Sequence, residues 1–142
     1  MTHQEIISKL PYSKPFLFVD DLTQINENGV QGSYTFDENL DFYRGHFKDR
    51  PVTPGVILTE VMAQIGLVCL GIFLLDDNFN ETTTIALTSA SIEFIKAVFP
   101  NEKVSVTSEK IYFRFGKLKC RVKMTNEHGE LVCMGEIAGM MV

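Results

Sequence analysis

Paired cysteines are missing from this 142-residue chain. Its three thiols, Cys69, Cys120 and Cys133, show no CxxC spacing, and two of them lie in apolar or strand-like stretches. That pattern argues against a disulfide framework or a thiolate metal site. It predicts free, buried thiols in a reducing, cytoplasmic setting. No HxxxH or DxD spacing suggests a metal, and no GxGxxG or P-loop suggests a nucleotide. No repeat and no low-complexity tract is visible. The first residues, Met1-Thr2-His3-Gln4-Glu5, lack a basic region followed by an apolar core, so no signal peptide is expected. Net positive charge is also lacking. The balance is −5, which argues against nucleic acid as a partner. The imbalance is uneven: residues 1–90 hold 5 basic and 12 acidic side chains, residues 91–142 hold 8 and 6. A locally basic face for an acidic partner is therefore open.

A long apolar run is present once. Val56 to Leu75 is nearly bilayer-spanning in length. Glu60 and Gln64 lie inside it, and an acidic residue in a span costs roughly 2.5–3.5 kcal/mol near its centre. Asp76 and Asp77 follow, with no aromatic belt at both ends. The run reads better as a core helix, apolar almost all round because protein surrounds it.

The remaining chain is organised around that helix. Thr2-x-x-Glu5 is a capping box, predicting a short helix to about Leu10, ended by Pro11 and Pro15. "FLFVDDLTQI" and "GVQGSYTF" read as strands around the turn "NENG". "TTTIALTSA", "SIEFI", "KVSVTSEKIYFRF", "KLKCRVKMT" and "ELVCMGEIAGMMV" are further strand candidates, with turns at Gly116 and "NEHG". The sum is α+β: one long helix wrapped by a curved, mainly antiparallel sheet of about five to seven strands.

The chemistry gathers where the helix starts. Thr53 is placed to cap it, Pro54 suits its first turn, and Gly55 allows close approach to the backbone. Free N–H groups there favour a developing negative charge. Glu60 lies six residues past Pro54, roughly 9 Å along the axis. Gln64 is four further on, on the same face, where its amide can orient the carboxyl. Apolar neighbours should favour the protonated form of Glu60, a candidate acid. His46, on the preceding loop, is a candidate base. Each feature alone has a plainer reading: an exposed loop histidine, or a glutamate that faces a wet groove or pairs with a lysine. Their conjunction suits proton abstraction next to a carbonyl with loss of a leaving group.

The stretch "GHFKDRPVTPGVILTEVMAQ" resembles the signature of 3-hydroxyacyl-[acyl-carrier-protein] dehydratases of the FabZ type. "LPYSKPFLFVDDL" and "SASIEFIKAVFPNEKVSV" resemble flanking segments of the same family. The resemblance covers nearly the whole chain. It implies one hotdog domain over residues 1–142, in which a long helix is wrapped by an antiparallel sheet. It implies dehydration of a 3-hydroxyacyl thioester to a trans-2-enoyl thioester, with acyl carrier protein as partner and no metal or organic cofactor. By position, His46 and Glu60 would be catalytic, Gly55 would offer its N–H to the thioester carbonyl, and Gln64 would support Glu60. In the family, the histidine and glutamate of one site come from two subunits of a dimer, so a homodimer or higher even oligomer is expected. Arg44, Lys48 and Arg50 flank the proposed entrance and are expected to steer the acidic carrier. Lys48, Thr53 and the run Tyr12-Ser13-Lys14 depart from the family pattern. They leave the catalytic pair intact and leave open whether the pathway is fatty acid elongation or a specialised polyene- or polyketide-like synthesis. Another hotdog enzyme, a thioesterase or acyl-CoA hydratase, is an alternative, as is a non-catalytic carrier-binding subunit.

Overall fold

A computed structural model describes residues 1–142. Helix α1 spans His3–Ser8, and the Thr2 hydroxyl accepts the Glu5 N–H at 3.1 Å, the cap its spacing predicts. Strands β1 (Asp21–Asn26) and β2 (Gly29–Thr35) form a hairpin. A 3-10 turn at Asp41–Arg44 leads to the loop that carries His46. The central helix then runs as α2 (Gly55–Ala63), a π segment (Gln64–Cys69) and α3 (Leu70–Leu75). Strands β3 (Ile85–Phe94), β4 (Lys103–Arg114), β5 (Lys117–Asn126) and β6 (Leu131–Met141) complete the chain.

All six strands join one antiparallel sheet in the order β1-β2-β4-β5-β6-β3. Alternation sets its two faces. On β5, Leu118, Cys120, Val122 and Met124 point inward, while Arg121 and Lys123 are exposed. Irregularities at Leu22–Gln24, Leu87–Ser89, Lys110–Tyr112 and Met124–Thr125 bend the strands. The central helix contacts all six strands, so the sheet wraps it: this is the hotdog architecture. Ile65, Leu67, Leu70 and Ile72 are almost wholly buried, each worth about 1.5–3 kcal/mol in apolar area removed from water. The helix is long and apolar enough to cross a membrane, yet 72% of its most apolar window lies inside the fold, as a core helix requires. The three thiols are free and buried. Burial pushes the Cys69 thiol up, Cys120 to about 11 and Cys133 to about 12, which keeps them protonated and inert.

Several boundaries differ from the sequence reading. The first strand begins at Asp21, not Phe16, because the backbone of Phe16 and Phe18 is bonded to the Gln64 side chain instead of to a neighbouring strand. "TTTIALTSA" and "SIEFI" merge into β3, with a bulge near Thr88 absorbing the irregular spacing. Thr53 does not cap the central helix. Its hydroxyl is buried against the Tyr43 hydroxyl at 2.5 Å, and Pro54 occupies the cap position with no side-chain bond. The π segment has no proline to announce it. There the helix lies close on the sheet: a Cβ at Gly66 would come within 3.0 Å of the Ser108 and Val122 side chains, and the Ser108 hydroxyl donates to the Gly66 carbonyl at 2.8 Å. The turn joining β4 and β5 puts both Phe115 (φ 52°) and Gly116 (φ 75°) in the left-handed region, as a type I′ hairpin turn needs.

Candidate active site

Gln64 is fully buried, and every polar bond it can make around Glu60 is fixed by its neighbours. The Phe18 N–H can only donate, so it claims the side-chain oxygen, at 2.8 Å. The amide nitrogen must then face the other way. It donates to the Phe16 carbonyl and to Glu60 Oε2, both at 3.0 Å. The predicted Glu60–Gln64 pair is thus present, and the backbone of a distant segment sets its polarity. Glu60 is half-buried, and burial raises its carboxyl above the ordinary range while the Gln64 bond partly opposes the rise. The result is a carboxyl biased toward its protonated form and aimed by a rigid donor.

His46 is held differently. Its Nδ1 lies 2.7 Å from the Val52 carbonyl. A carbonyl only accepts, so Nδ1 carries the proton, and in the neutral ring Nε2 keeps its lone pair for a proton. The ring stacks on Phe47 across a cis peptide, centroids 4.0 Å apart. Tyr43 and Thr53 brace the loop from below through their buried hydroxyl pair, and the Thr53 N–H donates to the Val98 carbonyl at 2.9 Å.

Gly55 opens α2, and no side chain satisfies its N–H or that of Val56. The Phe94 ring covers it so closely that a Cβ would meet the ring at 3.2 Å. Arg44, Lys48 and Arg50 are all exposed. Arg44 pairs with Asp41 at 3.0 Å, while Lys48 and Arg50 have no carboxylate within ion-pair distance. The helix therefore carries Gly55 at its start and the Glu60–Gln64 pair further along, while His46 and the three cations stand on the loop before it. No hydrogen bond joins His46 to Glu60, and none of the five principal cavities of the chain is lined by His46, Gly55 or Glu60. The sequence reading missed Tyr12 as a neighbour of the acid. Its hydroxyl is pushed up to about 12, chiefly by burial and then by the charge of Glu60. Its place in the run that departs from the family pattern was the only available signal.

A six-stranded antiparallel sheet around one helix, with an oriented carboxyl inside it, defines a protein of the hotdog class. The model of the FabA-like domain family matches residues 10–138, and the chain belongs to that family. It is 34% identical over 141 residues to the 3-hydroxyacyl-[acyl-carrier-protein] dehydratase FabZ of Clostridium perfringens, covering 96% of each chain. It is 34% identical over 136 residues to FabZ of Caldicellulosiruptor bescii, covering 94% of this chain and 93% of that one. Among solved structures, the dehydratase heterocomplex ApeI:P from Xenorhabdus doucetiae aligns with a TM-score of 0.80 at 13% identity, over 96% of this chain and 90% of that one. A mutant thioesterase from Pseudomonas aeruginosa aligns with a TM-score of 0.68 at 11% identity, over 100% and 94%. At those identities the structural likeness is one of fold.

Proposed function

We propose that the whole chain acts as one hotdog domain that dehydrates a 3-hydroxyacyl thioester on acyl carrier protein to the trans-2-enoyl thioester. The reaction belongs to fatty acid synthesis or a related specialised pathway, and the enzyme works as a soluble cytoplasmic protein. Membership of the FabA-like family and the relatedness to FabZ support the reading. The observation that carries it is the half-buried Glu60, biased toward its protonated form by burial and aimed by Gln64. His46 Nε2 takes the C2 proton. The electrons of that C–H bond form the C2–C3 double bond, and the C3–O bond breaks. Glu60 gives its proton to the departing hydroxyl, which leaves as water. Charge gathering on the thioester oxygen meets the Gly55 N–H at the start of the helix. No step calls for a metal or an organic cofactor.

The functional unit in this reading is a homodimer in which His46 of one chain serves Glu60 of the other. Strand β3 supports it. This ten-residue strand forms one edge of the sheet, and beyond Ile85 only Ile92 is even partly covered. Phe94, Ile95 and Phe99 are about half exposed beside it. A long, bare edge with apolar side chains at one end is a template for a second copy. Lys48 and Arg50, free of partners, steer the acidic carrier to the entrance.

Incubation with a panel of 3-hydroxyacyl carrier substrates tests the reading. Formation of the enoyl product without release of free thiol is expected. Thiol release without enoyl product would make the chain a thioesterase. Carrier binding with an unchanged acyl group would make it a binding subunit.

A further inference from the structure

Residues 11–18 cross the central helix beside Glu60 and carry one polar group that has no partner. Gln64 ties this segment down, by the Phe16 carbonyl at 3.0 Å and the Phe18 N–H at 2.8 Å. The Phe16 N–H donates to the Ser13 carbonyl at 2.8 Å, which turns the chain back on itself. The Tyr12 ring then meets the Phe16 ring, centroids 6.4 Å apart, and Phe16 in turn meets Phe18 edge-on at 5.0 Å. The ring of Tyr12 packs on the core. Its hydroxyl bonds to no other group of the chain. No fully buried polar atom lacks a partner, so this oxygen reaches open space. Burial, and after it the charge of Glu60, holds the hydroxyl up at about 12 and therefore neutral.

The other polar groups nearby are already engaged. Both amide hydrogens of Gln64 are taken, by the Phe16 carbonyl and by Glu60 Oε2. The Thr59 hydroxyl donates to the Gly55 carbonyl at 3.2 Å. Tyr12 keeps a hydrogen to give and a lone pair to offer. The substrate has the complement: a C3 hydroxyl presents two lone pairs and one hydrogen, and the Glu60 proton engages only one lone pair. For packing on Phe16 alone, a phenylalanine would serve as well.

We propose that the Tyr12 hydroxyl contacts the substrate: it hydrogen-bonds the C3 oxygen of the 3-hydroxyacyl chain beside the Glu60 carboxyl, so that two groups hold the leaving oxygen. The inference rests on the reading above and deepens it. Tyr12 transfers no proton. Glu60 supplies that proton, the C3–O bond breaks, and the Tyr12 bond passes to the water that departs. The contact recognises a 3-hydroxy group, and a saturated acyl chain has nothing to offer it. Tyr12 belongs to the run that departs from the family pattern, so the contact is a feature of this chain and not of the shared signature.

Tyr12→Phe is the test, on carrier-linked substrates of a chain length that the parent turns over. The bond exists with bound hydroxyacyl group and in the transition state alike, but not with bound enoyl group. For dehydration, KM is expected to rise about three- to tenfold while kcat stays within about twofold. The equilibrium constant cannot change. In the reverse hydration the same loss must therefore appear as a lower kcat with KM unchanged. Inhibition by the saturated acyl carrier, which lacks the C3 oxygen, should stay within about twofold, and thermal melting should match the parent. An unchanged KM for dehydration, or an equal weakening of the saturated inhibitor, overturns the contact. So does a lower kcat for dehydration at unchanged KM with a displaced acid limb of the pH–rate profile, which would make Tyr12 a positioning residue for Glu60. If the parent forms no enoyl product at any chain length, the proposed function itself has failed.

Discussion

Glu60 stands on the central helix beside an amide locked to three partners, whereas His46 rides on a loop and is fixed by one hydrogen bond to the Val52 carbonyl. The proposed acid is prepared from within: burial biases it toward its protonated form, and Gln64 sets its direction. The proposed base is prepared from its rear: one carbonyl selects the tautomer and leaves the other ring nitrogen its lone pair. An acid must hold its proton until the transition state, so a partly buried, rigid setting suits it. Both side chains are half-buried, so what separates them is how they are held: the proposed acid on a helix, the proposed base on a loop.

The sharpest way to break this comparison is to remove each partner. His46→Ala and Glu60→Gln should each lower turnover by about 10²–10⁴-fold while circular dichroism and thermal melting remain those of a folded protein. Near-normal rates in either variant would remove that residue from the mechanism. Mixing the two inactive variants under conditions of subunit exchange is the next test. About half of the dimers become mixed, each with one intact site, so about a quarter of the parent activity should return. If exchange is confirmed by mass and activity stays absent, each site lies within one chain.

Gln64→Leu should expose the rigidity of the acid's setting. It leaves the buried Phe18 N–H and Phe16 carbonyl without partners, at about 1–3 kcal/mol each, readable by denaturant titration. It also removes the bond that holds Glu60 down, so the limb of the pH–rate profile assigned to the acid should move to higher pH. On the loop side, reversing the charges of Lys48 and Arg50 should weaken carrier-linked turnover several-fold in low salt and spare small thioesters. Equal loss on both substrates would count against steering.

The smallest effect concerns pH and stability. Folding raises the Glu60 pKa. Its contribution is therefore complete below the unfolded value, near 4.5, and is lost as pH rises through the folded value. The melting-temperature difference between Glu60→Gln and the parent should grow in favour of the variant across that interval and level off above it. A difference independent of pH would show that Glu60 titrates normally.

The Glu60–Gln64 pair was legible because an i,i+4 spacing on a helix needs no knowledge of the rest of the fold. The wrapped sheet was legible for a related reason: an all-round apolar helix demands cover on every side. The grip of Gln64 on Phe16 and Phe18 was not, since it joins residues 46–48 positions apart and depends on which backbone groups the sheet leaves unpaired. The same competition hid the true start of β1. Thr53 was misread as a cap because local sequence cannot show that the Tyr43 hydroxyl reaches it first. His46 was proposed as a base from its surroundings in sequence, but its tautomer required the Val52 carbonyl to be in place.

The π segment at Gln64–Cys69 adds a constraint of indexing. Before it, the helix presents Glu60 to the site. After it, Gly71 passes so close to Ile85 and Leu118 that a Cβ would come within 2.3 Å of the Ile85 side chain. The wide turn sets the angular phase between these two contacts. Deleting one residue from it would let the helix wind as plain α and rotate one half against the other by about 100°. Either the carboxyl would leave the site or the glycine would leave its neighbours. The length of this helix between Glu60 and Gly71 is thus as fixed as any side chain in the site, and changes in chain length belong to the polar loop beyond Leu75.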